Sequence, residues 1–297
     1  MSPAGNEKNR DNEKNRDTET NVTTEKSLEN GKDAAGREGA VTRSFVALAT
    51  SLAVGADIVD LLTRLTGDCA RLLDITSAGL LLEDGHGVLH VMAASSEETQ
   101  RLELFQTQRD EGPCLDCFHS ATPISVPDLG AQERWPNFTA AARRHGFSSV
   151  HAIPMRLRTY TIGALGLFSE RAGALNEEDL TLAQALADVA SVALVQHETS
   201  FTPPPIAPLP TDSPTATASL AIPPAITLRL QEALHARVLV EQAKGVLAYR
   251  GKISTHTAFE VLRHYADSHD QRLSTVAGWL VHGDLPAAVI LEHSATS

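Results

Sequence analysis

The sequence predicts an α+β chain: an antiparallel sheet flanked by helices, followed by a small all-α module of three helices. Three observations carry this. Between Ser44 and His197, segments of helical and strand-like spacing follow in the order helix, two strands, helix, strand, helix, two strands, helix, an order that suggests a sheet flanked by helices. Residues 199–224 then interrupt the chain with eight of its fifteen prolines. Beyond them only helical spacing returns.

Taken in order, residues 1–39 contain an NEKNRD repeat at 6–11 and 12–17, charges of both signs and almost no large apolar side chains. Such a segment cannot bury enough surface to offset its ordering entropy, so a disordered tail is expected. From Ser44 to about Leu73 the apolar spacing is helical, in two pieces broken near Gly55. AGLLLEDGHGVLHVMAAS at 78–95 reads as two strands around Asp84-Gly85-His86-Gly87, a turn in which glycine and aspartate accept positive φ. Residues 97–108 look helical, DEGPCLDCFHS reads as a loop, ISV at 124–126 as a strand, and NFTAAARRHG as a short helix closed by Gly146. SSVHAIPMRLR and TIGALGLFSER form a second hairpin around Thr159-Tyr160, and Asn176 with Asp179 three residues on opens a long helix through His197. The units predicted are a tail (1–39), a sheet domain (44–198), an extended proline-rich linker (199–223), a helical domain (224–285) and a second tail (286–297).

In the helical domain, the first helix is expected from about Pro224 to Arg250, ending at Gly251. The second is capped by Ser254 or Thr255 and reaches about Ser268, and the third runs from near Arg272 to His282. On the first, Leu228, Leu239, Ala243 and Val246 are assigned to one face and Leu230, Leu234 and Val238 to another. A helix with two apolar faces needs a partner on each, and a second copy of the chain is the simplest candidate.

The net charge of −12 is uneven: residues 40–198 hold 11 bases against 20 acids, whereas 222–297 hold 7 of each and 229–263 have six bases against three acids. The helical tail is thus the part a polyanion would not strongly repel. No apolar run reaches the length of a membrane span. Three cysteines in a chain with no export signal fit a reducing, cytoplasmic setting.

Within Val240-Glu241-Gln242-Ala243-Lys244-Gly245-Val246-Leu247, a glycine stands in mid-helix, where it costs about 1 kcal/mol relative to alanine. That stretch, Ala258-Phe259-Glu260-Val261-Leu262-Arg263 with Ala266, and Arg272-Leu273-Ser274-Thr275-Val276-Ala277 together resemble the ANTAR domain. The resemblance implies a three-helix module that binds paired RNA stem-loops in nascent transcripts and lets transcription continue past a terminator. Residues 44 to about 196 are similar to a GAF domain of the kind fused to ANTAR in actinobacterial regulators. The similarity lies in Ala78-Gly79-Leu80-Leu81-Leu82, Asp110-Glu111-Gly112-Pro113-Cys114, Arg134-Trp135-Pro136, Ser149-Val150-His151-Ala152 and Ile162-Gly163-Ala164-Leu165. This implies a small-molecule sensor or dimerisation unit and names no cofactor. The expected RNA-binding residues are Gln242, Ala243, Lys244, Gly245, Arg250 and Arg263, the small ones admitting the loop and Lys244 meeting phosphate. Arg263 could equally serve in a salt bridge. Tyr249 and Tyr265 could stack on bases, though packing is the reading preferred for both. Two residues depart from the family pattern: Asp267 where an apolar residue is common, and Thr257 in place of an acid.

Cys114-Leu-Asp-Cys117-Phe-His119 is the main rival signal. Its thiols could form a redox pair if a nearby positive charge activated one. With His119 they supply three ligands, one short of a structural zinc site, so no metal site is assigned. The alternatives are a redox or small-molecule sensor, even a thiol reductase with Cys69 as resolving residue, whose helical tail only dimerises. Two idle thiols on a loop is the plainer reading. There is no phosphate-binding glycine loop or nucleophile elbow, so no catalytic residues are assigned.

Overall fold

The computed structural model describes residues 36–196 and 222–295. Of the tail expected over 1–39, residues 1–35 lie outside the described residues, as does nearly all of the proline-rich linker, while 36–39 are helical. The chain from Leu48 onward forms one compact unit, distinct from the segment ending at Ala47. Helix α1 spans 36–53, beginning earlier than the expected Ser44, and ends where Gly55 takes φ +68°.

Helix α2 (Ile58–Leu72) starts at Asp57, whose side chain accepts from the N–H groups of Val59 and Asp60 and so satisfies two open donors. Strands β1 (Ser77–Glu83) and β2 (Leu89–Ala94) form the first hairpin. Asp84 Oδ1 accepts from His86 N and Val88 N across its turn. Helix α3 (Glu97–Arg109), capped by Ser96, follows. The expected loop after it is instead α4 (Pro113–Ser120). Proline at the first helical position loses no hydrogen bond and brings a helical φ, while Cys114, Leu115 and Cys117 bury one side of this short helix. Strand β3 (Ile124–Val126), a 3-10 turn (Leu129–Ala131) and α5 (Pro136–Arg144) come next. The open N–H groups of Asn137 and Phe138 in the first turn of α5 donate to Glu111 Oε1 at 2.7 and 3.1 Å. Strands β4 (Ser149–Leu157) and β5 (Tyr160–Ser169) form the second hairpin, and α6 (Glu177–Gln196) closes this half, with Asp179 N donating to Asn176 Oδ1.

The five strands run β2-β1-β5-β4-β3, every pair antiparallel. Alternation along a strand sends successive side chains to opposite faces. Leu81, Val150, Ala152, Ala164 and Phe168 pack with α4 and α5 residues, among them Cys114, Cys117, Phe138 and Ala142. Helices α2 and α6 pack against the sheet as well. Every residue of β1 is therefore buried, which is why its stretch 78–82 reads as an unbroken apolar run.

The second half comprises α7 (Pro224–Gly251), α8 (Thr255–Ser268, capped by Ser254), α9 (Leu273–His282) and α10 (Ala287–Ala295). The expected terminal tail thus folds as a fourth helix, anchored by Ile290, which is fully buried. Its His293 ring packs against those of His264, Tyr265 and His269 on and beside α8. Helix α7 ends at Gly251 as expected, although this glycine is not the left-handed residue. The left-handed residue is Lys252 (φ 52°), and a Cβ on Gly251 would lie 2.9 Å from Leu291 Cδ2, so this glycine gives α10 room to approach.

Candidate nucleic-acid interface

Helix α7 has one buried face, carried by Leu230, Ala233, Val240, Ala243 and Leu247 together with Arg237. The expected pair of apolar faces is corrected by this. Leu228, Val238 and Val246 are exposed, and the residues buried against α8 and α9 mix members of both assigned sets. Spacings of three and four fit either stripe, and only the position of α8 and α9 selects one.

The six expected RNA-binding residues fall into three environments. Ala243 is fully buried in the helical core and cannot meet a ligand. Gln242, Gly245 and Arg250 are exposed, on the side facing away from α8 and α9. A Cβ added to Gly245 would meet nothing within 4 Å, so no neighbouring helix accounts for this glycine. Tyr249, expected to pack, is 83% exposed on this same face. Tyr265 does pack, stacked on His269 at 4.1 Å between ring centroids.

Lys244 and Arg263 form the third environment, flanking Phe259 at 5.8 and 5.9 Å from its ring centroid. The Lys244 side chain is 12% exposed and donates to Glu241 Oε1 at 2.8 Å; the same oxygen accepts from Arg237 at 2.6 Å. Arg263 pairs with Glu260. Burial pulls the Arg237 pKa down, and Glu241 works against that by favouring the charged guanidinium.

The rival constellation lies in the sheet half. Cys69, Cys114 and Cys117 are all free and buried, and His119 points to the surface. Burial, reinforced by Glu103, pushes the Cys114 thiol well up, and burial pushes Cys117 up to about 12. Both are protonated thiols at neutral pH, poor nucleophiles and poor metal ligands. Among the described residues no cluster of histidine, cysteine or acidic side chains could hold a metal. His151 is buried and satisfied by Ser125 Oγ at 2.9 Å, and burial lowers its pKa.

Sequence reasoning missed Glu103, which sits in a charged stretch of α3 yet is fully buried. It accepts from Gln106 Nε2 at 2.7 Å and from the Cys114 thiol at 3.6 Å, and burial raises its pKa to about 8. The signal was present on the strands. Gly79 and Gly166 are register partners, and a Cβ on either would fall 2.7 or 2.4 Å from Glu103 Oε1. Two paired glycines vacate the space that one buried carboxyl fills.

The architecture is an antiparallel-sheet domain joined to a small helical module; among the described residues no helix is long and apolar enough to cross a membrane. The GAF domain family matches residues 55–195 and the ANTAR domain family residues 228–281, so the chain is a GAF and ANTAR domain-containing protein. GAF is a sensory domain and ANTAR an RNA-binding antitermination domain, which defines the general kind of function. No curated protein matches the chain. Similar solved structures include the GAF domain of a phosphoenolpyruvate-protein phosphotransferase from Coxiella burnetii (15% identity, 52% of this chain and 92% of that one, TM-score 0.42). Free methionine-R-sulfoxide reductase from Neisseria meningitidis gives 15% identity over 54% of this chain and 89% of that one, TM-score 0.43. The A. aeolicus nlh2 GAF domain gives 11% identity over 55% of this chain and 99% of that one, TM-score 0.42.

Proposed function

We propose that this chain is a cytoplasmic, homodimeric transcription antiterminator of the actinobacterial GAF–ANTAR type. It recognises paired stem-loops in nascent RNA and is controlled by its GAF domain through a small-molecule ligand or a partner. It carries out no catalysis. The reading rests on one observation: the outward face of α7 presents an exposed tyrosine, Tyr249, beside Arg250, Gln242 and an open Gly245. An exposed ring stacks on an unpaired base, arginine meets phosphate, and a bare backbone admits the loop. Leu228, Val238 and Val246, exposed on the same helix, offer apolar surface to a second copy.

The test is a titration of the full chain with a labelled paired-hairpin RNA, alongside a scrambled RNA and a DNA duplex, at several salt concentrations. Selective binding that weakens with salt and with Arg250→Ala is the expected result. Equal affinity for all three nucleic acids, or none, refutes the reading. Sedimentation of the free chain as a monomer that stays monomeric with RNA refutes the dimer.

A further inference from the structure

Polar contacts join the GAF half to α7, α8 and α9 of the helical half. Asp57 is 6% exposed. Its Oδ1 accepts from Val59 N and Asp60 N at the start of α2, while its Oδ2 accepts from Ser274 N, 2.8 Å away in the first turn of α9. One carboxylate therefore closes two helix N-termini, one from each half, where an anion is favoured by both the open N–H groups and the helix dipoles. Glu97, at the start of α3, accepts from the Thr255 hydroxyl at the start of α8, 2.7 Å away. Gln231 Nε2 of α7 donates to the Asp84 carbonyl in the β1–β2 turn at 3.2 Å. Arg64 of α2 lies 3.9 Å from Asp267 of α8.

Arg64 and the Glu97–Thr255 pair border a cavity of about 290 Å³, with Arg64 and Glu97 on the GAF side and Arg237, Lys244, Phe259 and Arg263 on the other. The cavity is already close to charge balance. Glu241 takes Arg237 and Lys244, Glu260 takes Arg263, and Asp60 takes Arg64 at 2.7 Å. The Glu97 carboxyl is held below its usual range by the Thr255 hydrogen bond and then by Arg101, Lys244 and His256, so an acid of the GAF domain lies in the field of the ANTAR cations.

We propose that this docked arrangement is a closed state, in which the GAF domain covers the Lys244–Arg263 side of the ANTAR domain and Glu97 stands where an RNA phosphate would otherwise come. The inference rests on the RNA-binding reading above and adds its regulation. In the closed state Lys244 and Arg263 are withheld, while Gln242, Tyr249 and Arg250 stay exposed, so RNA meets half of its surface. Opening releases the Asp57, Glu97 and Arg64 contacts and completes it. Each such contact is a single hydrogen bond or exposed ion pair, and bonds of that strength are easily outweighed by a ligand that favours the open state.

The test locks and unlocks the full chain. Glu97→Cys combined with Thr255→Cys puts two accessible thiols across the interface, while the native cysteines are buried, so a reducible bis-maleimide linker joins only the new pair. The locked chain is expected to bind paired-hairpin RNA about tenfold more weakly than the same chain after the linker is cleaved, the penalty of a binding-competent state reduced to about a tenth. Glu97→Arg in the unlinked chain is expected to tighten binding about fivefold, the loss of one closed-state hydrogen bond. Equal RNA affinity in locked and cleaved chains overturns the inference, as does failure of the pair to cross-link when each single variant is labelled fully. No RNA binding by locked, cleaved or Glu97→Arg protein refutes the RNA-binding reading itself, and the yield of cross-linked chain then reports docking independently.

Discussion

Gly245→Ala separates a helix defect from a ligand-binding feature. Gly245 lies inside α7, six residues before its end at Gly251. Replacing an interior helical glycine by alanine stabilises by about 1 kcal/mol, because alanine loses less backbone entropy. Nothing subtracts from that gain, since the added methyl meets no heavy atom within 4 Å. Because the helical half belongs to one compact unit from Leu48 onward, the thermal midpoint should rise by about 2–4 °C. RNA affinity should move the other way: a methyl forced against a closely seated loop costs about 1 kcal/mol or more, at least a fivefold loss. The assay pairs thermal unfolding followed by circular dichroism with titration of the paired-hairpin RNA. A lower midpoint would show that something packs against Gly245, refuting the open face. A higher midpoint with unchanged RNA affinity would refute the idea that the glycine exists for a ligand.

Three further expectations bear on the same geometry. Tyr249→Ala should leave stability within about 0.5 kcal/mol, because the side chain is 83% exposed, while weakening RNA binding by about 1–3 kcal/mol if a base stacks there; unchanged affinity removes the ring from the interface. Glu103 has its carboxyl raised from 4.5 to about 8 by burial. The folded state thus binds a proton that the unfolded chain has released, and Glu103's contribution is fully present below pH 4.5 and is lost as pH rises to about 8, at up to about 1.4 kcal/mol per pH unit. Glu103→Gln should remove that slope in denaturant titrations across this window, and an unaltered slope would mean the carboxyl is not buried. Gly166→Ala would bring a methyl 2.4 Å from Glu103 Oε1 and 2.9 Å from Cys114 Sγ, so it should destabilise by about 1–3 kcal/mol; a neutral result in thermal unfolding would mean the carboxyl does not sit there.

What the sequence determined by itself is local. The Asp84–Gly87 turn, the Ser254 cap and the Asn176 side chain at the start of α6 each act within four residues of themselves, so their chemistry is written in adjacent letters. The two domains were legible for the same reason, because helical and strand periodicities are short-range patterns. Helix α4 was missed because eight residues opened by glycine and proline carry a turn signal as strong as their helical one, and burial of Cys114 and Cys117 under the sheet decides between them. Tertiary structure alone decided which side of α7 faces inward, since stripes spaced by three and four compete until α8 and α9 cover one of them. It also placed Glu103 in the interior, where Gly79 and Gly166 meet from separate strands, and turned Lys244 toward Glu97 while Tyr249 faces water. Such outcomes depend on residues far apart in the chain, and distance in sequence carries no record of which will meet.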